Sequence, residues 1–132
     1  MSPEQLGEIL ESHQRWLASW DEGERAILSG IDLRGVNLAG LDLTDVDFRA
    51  SDLSDSDFSG SNLNRANLSD TTLTYANFED ASLTEAELSH ADMRNANLRN
   101  ANFAGAEVWR CNFKGATIEA ALLHKLLGCR NP

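Results

Sequence analysis

Carboxylates crowd one stretch of this 132-residue chain, where Asp42, Asp45, Asp47, Asp52, Asp55 and Asp57 fall within sixteen positions. Paired carboxylates perform acid/base chemistry when a cleft desolvates one of them and leaves the other ionised. His13, His90 and His124 stand far apart, and no pairing of His, Cys or carboxylate has the spacing of a zinc or calcium site. Neither a glycine-rich phosphate loop nor a nucleophile elbow occurs. Cys111 and Cys129 are too few for a disulfide framework, which fits a reducing compartment. Trp109 beside Arg110 is open to two readings. An exposed indole there would anchor a protein partner; an indole packed beneath a C-terminal helix would be structural. Tyr75 is a further candidate of the same kind.

What must position these groups is set by a five-residue period. From Leu33 the residues Leu33, Leu38, Leu43, Phe48, Leu53, Phe58, Leu63, Leu68, Leu73, Phe78, Leu83, Leu88, Met93, Leu98, Phe103, Val108, Phe113, Ile118 and Leu123 recur without a slip. Two residues before each centre lies a second set: ten Ala, three Ser, one Thr, one Cys, and the larger Ile31, Val36, Leu41 and Val46. Between the two sits a polar residue, most often Asp or Asn. A helix turning ~100° per residue would scatter these centres around its circumference. A straight strand would send residues five apart to opposite faces. The small and central residues share a side, so the chain must turn a corner in the gap between pentads. Repeated in one direction, that corner winds a β-helix whose interior receives both sets.

The unit A-(D/N)-L-x-x, in segments such as SNLNRANLSDTTLTYANFEDASLTEAELSHADMRNANLRNANFAGA and AEVWRCNFKGATI, resembles the pentapeptide-repeat family over residues 31 to about 120. The resemblance implies an all-β solenoid, a right-handed quadrilateral β-helix with four pentads per coil and about five coils. Phe58 and Phe78, 20 apart, would then stack. Some relatives imitate duplex DNA and bind DNA gyrase, protecting it from quinolones or inhibiting it.

An open β-helix exposes unpaired backbone and core at each end, so each end needs a cover. Ser2-Pro3-Glu4-Gln5 reads as an N-cap and capping box. The stripe Leu6, Ile9, Leu10, His13, Trp16, Leu17, Trp20 follows it and ends near Gly23. His13 on that stripe reads as a packed side chain. EAALLHKLLG places Leu122, Leu123, Leu126 and Leu127 on a C-terminal helix stopped by Gly128, with Leu123 fitting both patterns. The expected division is a capping helix and linker at 1–25, the β-helix at 26–118, and a helix with tail at 119–132, one domain in all.

With 11 basic against 21 acidic side chains the net charge is −10, which disfavours direct binding of nucleic acid or anionic membrane. The start MSPEQLGEIL has neither the basic region nor the apolar core of a signal peptide, so a cytoplasmic location is expected. Charge runs along the rod: successive twenties from residue 31 carry −2, −3, −4, +1 and +2. Duplex DNA carries one charge per ~1.7 Å, so a coil rising ~4.8 Å needs about three negative charges to imitate it. The first three twenties come close, and the last two reverse sign.

A convex wall offers no catalytic cleft and Cys111 sits at an inward small position, so no enzyme, metal or cofactor is expected. The function expected is a non-catalytic scaffold binding a protein partner, with Asp42, Asp45, Asp47, Asp52, Asp55, Asp57, Trp109 and Arg110 as candidate contacts. A gyrase-binding DNA mimic is the alternative. The oppositely charged halves also suggest a homodimer of antiparallel rods.

Overall fold

The computed structural model describes residues 1–126. From Ile27 onward each pentapeptide contributes one short extended step and then a corner. All fifteen bridges among the described residues join positions 20 apart in parallel, from Ile27 with Asp47 to Asn97 with Thr117. Twenty residues are four pentapeptides, so the chain is a β-helix with four walls, each a ladder of stacked single steps. On the wall that carries Asp42 and Asn62, Leu43 donates to the Asn62 carbonyl at 2.7 Å and Asn62 donates back to the Leu41 carbonyl at 2.9 Å. These are the evenly spaced bonds of a parallel pair.

The corners explain why five residues suffice. The residue two after each centre has positive φ at all eighteen corners from Gly30 to Gly115, and twelve of the eighteen are not glycine. Corners close with a hydrogen bond back across three residues, as from Ser51 N to Phe48 O at 3.1 Å. The polar residue before the centre fastens the same corner. Its side-chain oxygen accepts the backbone N–H two residues on, at Asp42, Asp47, Asp52, Asn62, Asn67 and Asn77 among others. Asp and Asn are short enough to make this local bond, which mimics a backbone turn.

Inside, the centres from Leu33 to Phe103 are buried, and so is Leu28, which opens the pattern one pentad before Leu33. Phe58 and Phe78 stack with ring centroids 5.0 Å apart and planes 8° apart, and Phe48 meets Phe58 edge-on at 5.9 Å. Hydroxyls are tolerated at the inward small position because each finds a carbonyl. Ser61 donates to Phe58 O at 2.7 Å and Thr71 to Leu68 O at 2.6 Å. Among the described residues no buried side-chain N or O lacks a partner.

The ends depart from the regular interior. Val108, Phe113 and Ile118, assigned to the core by the period, are only half-buried because no further turn among the described residues lies beneath them. Helix α2 (Ala120–Leu126) brings Leu122 and Leu126 against that end. Leu123 belongs to α2, with its N–H donating to Glu119 O at 3.0 Å, and does not continue the period. Leu127 and the stop at Gly128 lie outside the described residues. At the other end Val46 is buried beneath Ala26, whereas Ile31 and Val36 are half-buried and Leu41 is 37% exposed for want of a turn above. Not every member of the inward small set is therefore enclosed.

Helix α1 (Pro3–Ala18) covers this first turn, starting from the Ser2–Gln5 capping box. It stops at Ala18, short of Gly23, because Ser19 is extended; Trp20 projects into solvent beyond it. His13 is the one buried residue of α1. Its Nδ1 accepts from Ala26 N at 2.9 Å, which places the ring proton on Nε2, and Nε2 donates to Thr44 O at 2.8 Å. Gln14 donates to Asp42 O at 2.8 Å. Asn62 O and Asn64 O, one turn below Asp42 and Thr44, accept from backbone N–H groups of the turn above. His13 and Gln14 thus supply, from a helix, two donors that a preceding turn would have supplied. Among the described residues no helix is long and apolar enough to cross a membrane.

Burial lowers the His13 pKa from 6.5, opposed by the Thr44 carbonyl and the carboxylates of Asp42 and Asp45, while Arg25 adds to the lowering. Because the folded value is depressed, this group's stabilisation is complete above pH 6.5 and is lost as pH falls through the folded value. Chemical denaturation between pH 7.5 and 5 should show stability falling with acid by no more than ~1.4 kcal/mol per pH unit, one proton's worth. In His13→Gln that dependence should vanish.

A second prediction concerns Gly23, at φ +69°, where an added Cβ would lie 2.1 Å from the Ser12 carbonyl oxygen. Gly23→Ala should destabilise by about 2 kcal/mol or more. Hydrogen exchange should show the loss concentrated in α1 and the first turn.

Candidate interaction surface

Outward positions recur in columns 20 residues apart. Wall one carries Ile27, Asp47, Asn67, Glu87 and Glu107; wall two Asp32, Asp52, Thr72, Asp92 and Asn112. Wall three carries Asn37, Asp57, Asn77, Asn97 and Thr117, and wall four Asp42, Asn62, Ser82 and Asn102. The six clustered carboxylates therefore do not share a face. Asp42 and Asp45 lie on wall four or its corner, Asp47 on wall one, Asp52 and Asp55 on wall two or its corner, and Asp57 on wall three. They form a belt around the rod.

Most of that belt has a structural task. Asp42 accepts from Thr44 N and Oγ1 at 3.1 and 2.6 Å, and Asp52 from Ser54 N and Oγ at the same distances. Asp47 and Asp57 accept from Arg49 N and Ser59 N, each at 2.9 Å. Asp45 is joined by Arg65 from one turn below, through two bonds of 3.0 and 3.1 Å. Asp55 occupies a left-handed corner at φ 60°. Arg34 holds the Asp32 carboxyl down to about 2 by donating to it, and Arg94 lowers that of Asp92 in the same way. The negative charge is thus interrupted by guanidinium groups and committed to backbone turns.

Trp109 is 66% exposed on wall one and so is not enclosed beneath α2. The Arg110 guanidinium carbon lies 5.6 Å from its ring centroid, a cation–π arrangement. Tyr75 is 64% exposed at the corner of walls two and three, at φ 61°. Cys111 faces the interior near the last turn, and burial pushes its thiol up to about 12, which removes the thiolate needed for reaction. Cys129 lies outside the described residues. His90 sits at a left-handed corner and His124 on α2. Among the described residues no group of three or more His, Cys, Asp or Glu is placed to hold a metal ion.

Three features lie beyond what the series starting at Leu33 indicates. Leu28 is part of the core, and its pentad AILSG shows in the sequence as a small residue, a centre and a glycine corner. The left-handed corners at Ala50, Arg65, Tyr75, Glu85 and Arg110 carry no residue signal, since nothing in those types favours positive φ. The double hydrogen bond of His13 joins partners 31 and 13 residues away and has no local signature.

The family model described as Pentapeptide repeats matches in eight copies, over residues 26–65, 51–88, 61–100 and 81–119. No curated protein matches. Among solved structures, a pentapeptide repeat protein from the Arabidopsis thaliana thylakoid lumen is 37% identical, with a TM-score of 0.67 over 67% of this chain and 62% of that one. HetL, involved in heterocyst differentiation regulation in the cyanobacterium Nostoc sp. strain PCC 7120, is 32% identical with a TM-score of 0.36, over 70% of this chain and 45% of that one. QnrB1, a plasmid-mediated fluoroquinolone resistance protein, is 17% identical with a TM-score of 0.24, over 81% and 73% of the two chains. This chain thus spans less than two thirds of the Arabidopsis protein and less than half of HetL. Members of the family wind right-handed quadrilateral β-helices and are generally non-enzymatic. With matches running from residue 26 to 119, well over half its length, the chain belongs to the pentapeptide-repeat family.

Proposed function

We propose that this chain is a non-catalytic interaction module: one domain, a right-handed rod of about five coils in the cytoplasm, which binds a protein partner through side chains mounted on its walls. The exposed Trp109 carries the reading. A large aromatic left in water on a rigid scaffold, with a guanidinium over its ring, combines the two residue types that most often dominate binding energy. Its backbone is fixed by the ladder, with His90 N donating to Trp109 O at 2.8 Å, so little ordering opposes its use.

A second reading, an acidic DNA mimic of gyrase, draws on the carboxylate belt from Asp42 to Asp57. The pairing of Asp45 with Arg65 and of Asp32 with Arg34 speaks against it, because duplex phosphates are an unbroken negative series.

Immobilised protein should capture a specific partner from extract of its native host. Trp109→Ala should weaken that capture about 30-fold, the equivalent of ~2 kcal/mol, with thermal unfolding unchanged. Equal capture by wild type and variant would remove Trp109 from the interface. On the second reading, excess protein inhibits or protects gyrase in a supercoiling assay; the expected result is no effect on either activity.

A further inference from the structure

We infer that the last step of wall two, together with α2, is a docking site for an extended acidic segment of a protein partner, one in which carboxylate and apolar side chains alternate. A hollow of about 550 Å³ opens there between the final turn and α2. Half-buried Phe113, Ile118 and Leu123 give it an apolar floor, and exposed Arg110, Asn112 and Lys114 give it a polar rim.

The backbone above the hollow is an open edge, which is what selects a peptide. One turn up, Met93 N donates to Asn112 O at 2.8 Å and Asn95 N to Lys114 O at 3.0 Å, while Ala91 O accepts from Asn112 N at 3.0 Å. The equivalent groups of the last turn are Phe113 N, Gly115 N and Cys111 O, and none has a backbone partner among the described residues. An extended peptide satisfies all three by adding one parallel step to the wall. Its side chains then alternate. The central one enters the hollow against Phe113, Ile118 and Leu123, and its two neighbours point outward in the columns of Asn112 and Lys114.

Those columns choose the sign of the partner's charge. Arg34, Arg65 and Arg94 each hold a carboxylate, whereas Arg110 and Lys114 join no ion pair among the described residues. Asn112 Oδ1 accepts from Lys114 N at 3.0 Å, which leaves its Nδ2 to donate. Asp92, one turn up in the same column, is taken by Arg94. Carboxylates beside the apolar side chain therefore meet two unpaired cations and an amide donor, and lysines in their place would meet like charge. A long polyanion such as nucleic acid is opposed by the acidic turns above, on a chain of net charge −10. A single added step buries little area, so the affinity is weak. The inference rests on the interaction-module reading, whose partner it describes. The two fail separately, because peptide binding is read without host extract and capture through Trp109 is read without the peptide.

The probe is an acetylated and amidated pentapeptide of alternating Glu and Leu with Glu at both ends, titrated into the isotope-labelled full chain and followed by amide chemical shifts. Salt of about 50 mM keeps the contacting charges effective. Saturable shifts are expected at Cys111 to Ile118 and at Leu123, with Leu63 to Leu83 unmoved. The same peptide with Lys for Glu should bind about tenfold more weakly or worse. Arg110→Glu and Lys114→Glu should each weaken the Glu peptide about tenfold. Neither should lower the unfolding temperature, since Glu85 already occupies a left-handed corner at φ 58° and Glu79 the position after a centre. The double variant should reverse the preference and take the Lys peptide. No response at Cys111 to Ile118, or equal binding of the two peptides, overturns the inference. Shifts of the same amides on dilution without peptide would give the site to a second copy and overturn it as well.

Discussion

Everything in this molecule hangs on the corner after each centre. An L-residue with positive φ costs ~1–2 kcal/mol for most side chains, yet twelve non-glycine corners accept that conformation. What offsets it is collective: the closing bond across three residues, the carboxylate or amide oxygen that fastens the same corner, and the burial of a Leu or Phe that the corner makes possible. The two hydrogen bonds are local, but the burial exists only with neighbouring turns above and below, since a single pentad buries nothing alone. The sequence also lessens the strain directly. Six of the twelve corners are Asp or Asn, at Asp45, Asp55, Asp70, Asp80, Asn95 and Asn100, the types that enter this region most readily.

This bears on how the acidic character should be understood. Asp at the position before a centre fastens a turn, and Asp at a corner tolerates its φ, so a chain can become strongly acidic through backbone demands alone. Asn serves equally well at both positions, as Asn62, Asn67 and Asn95 demonstrate. The choice of Asp over Asn is therefore where a functional signal would reside. In this chain that choice favours Asp near the N-terminal half and Asn near the other. The resulting gradient separates two halves of one rod and does not coat either half uniformly, because Arg34, Arg49 and Arg65 interrupt the acidic one.

Much of the architecture is legible in the sequence because the physics is local and repeated. The centres Leu63, Leu83 and Phe103 announce themselves by spacing, and the 20-residue step follows from pairs such as Phe58 and Phe78. Legibility fails where repetition ends. Val108, Phe113 and Ile118 carry the same signal as Leu63 but have no turn below among the described residues, and no residue-level pattern distinguishes a centre with one neighbour from a centre with two. His13 is legible as part of an apolar stripe; its substitution for a missing turn's donors is a matter of three-dimensional placement. Trp109 was ambiguous for a related reason, since its position five residues from the next outward slot says nothing about where α2 comes to rest.

A solenoid of this kind separates the positions that build it from those that are free. Inward residues, the residue before each centre and the corners answer to packing, to hydrogen bonding and to φ. The side chain directly after each centre is held more loosely: a hydroxyl there can join the corner, as Ser69 Oγ does with Asn67, but Arg49 and Trp109 occupy the same column on wall one as Ser29, Ser69 and Ser89. Selection for binding acts most freely at such positions, and small polar residues there keep a wall soluble and featureless. An indole at Trp109 is the largest departure from that background, two-thirds exposed and outside the core. Unconstrained columns are therefore the place to read function in this fold, and constrained ones, however conspicuous their carboxylates, chiefly record the demands of the corner.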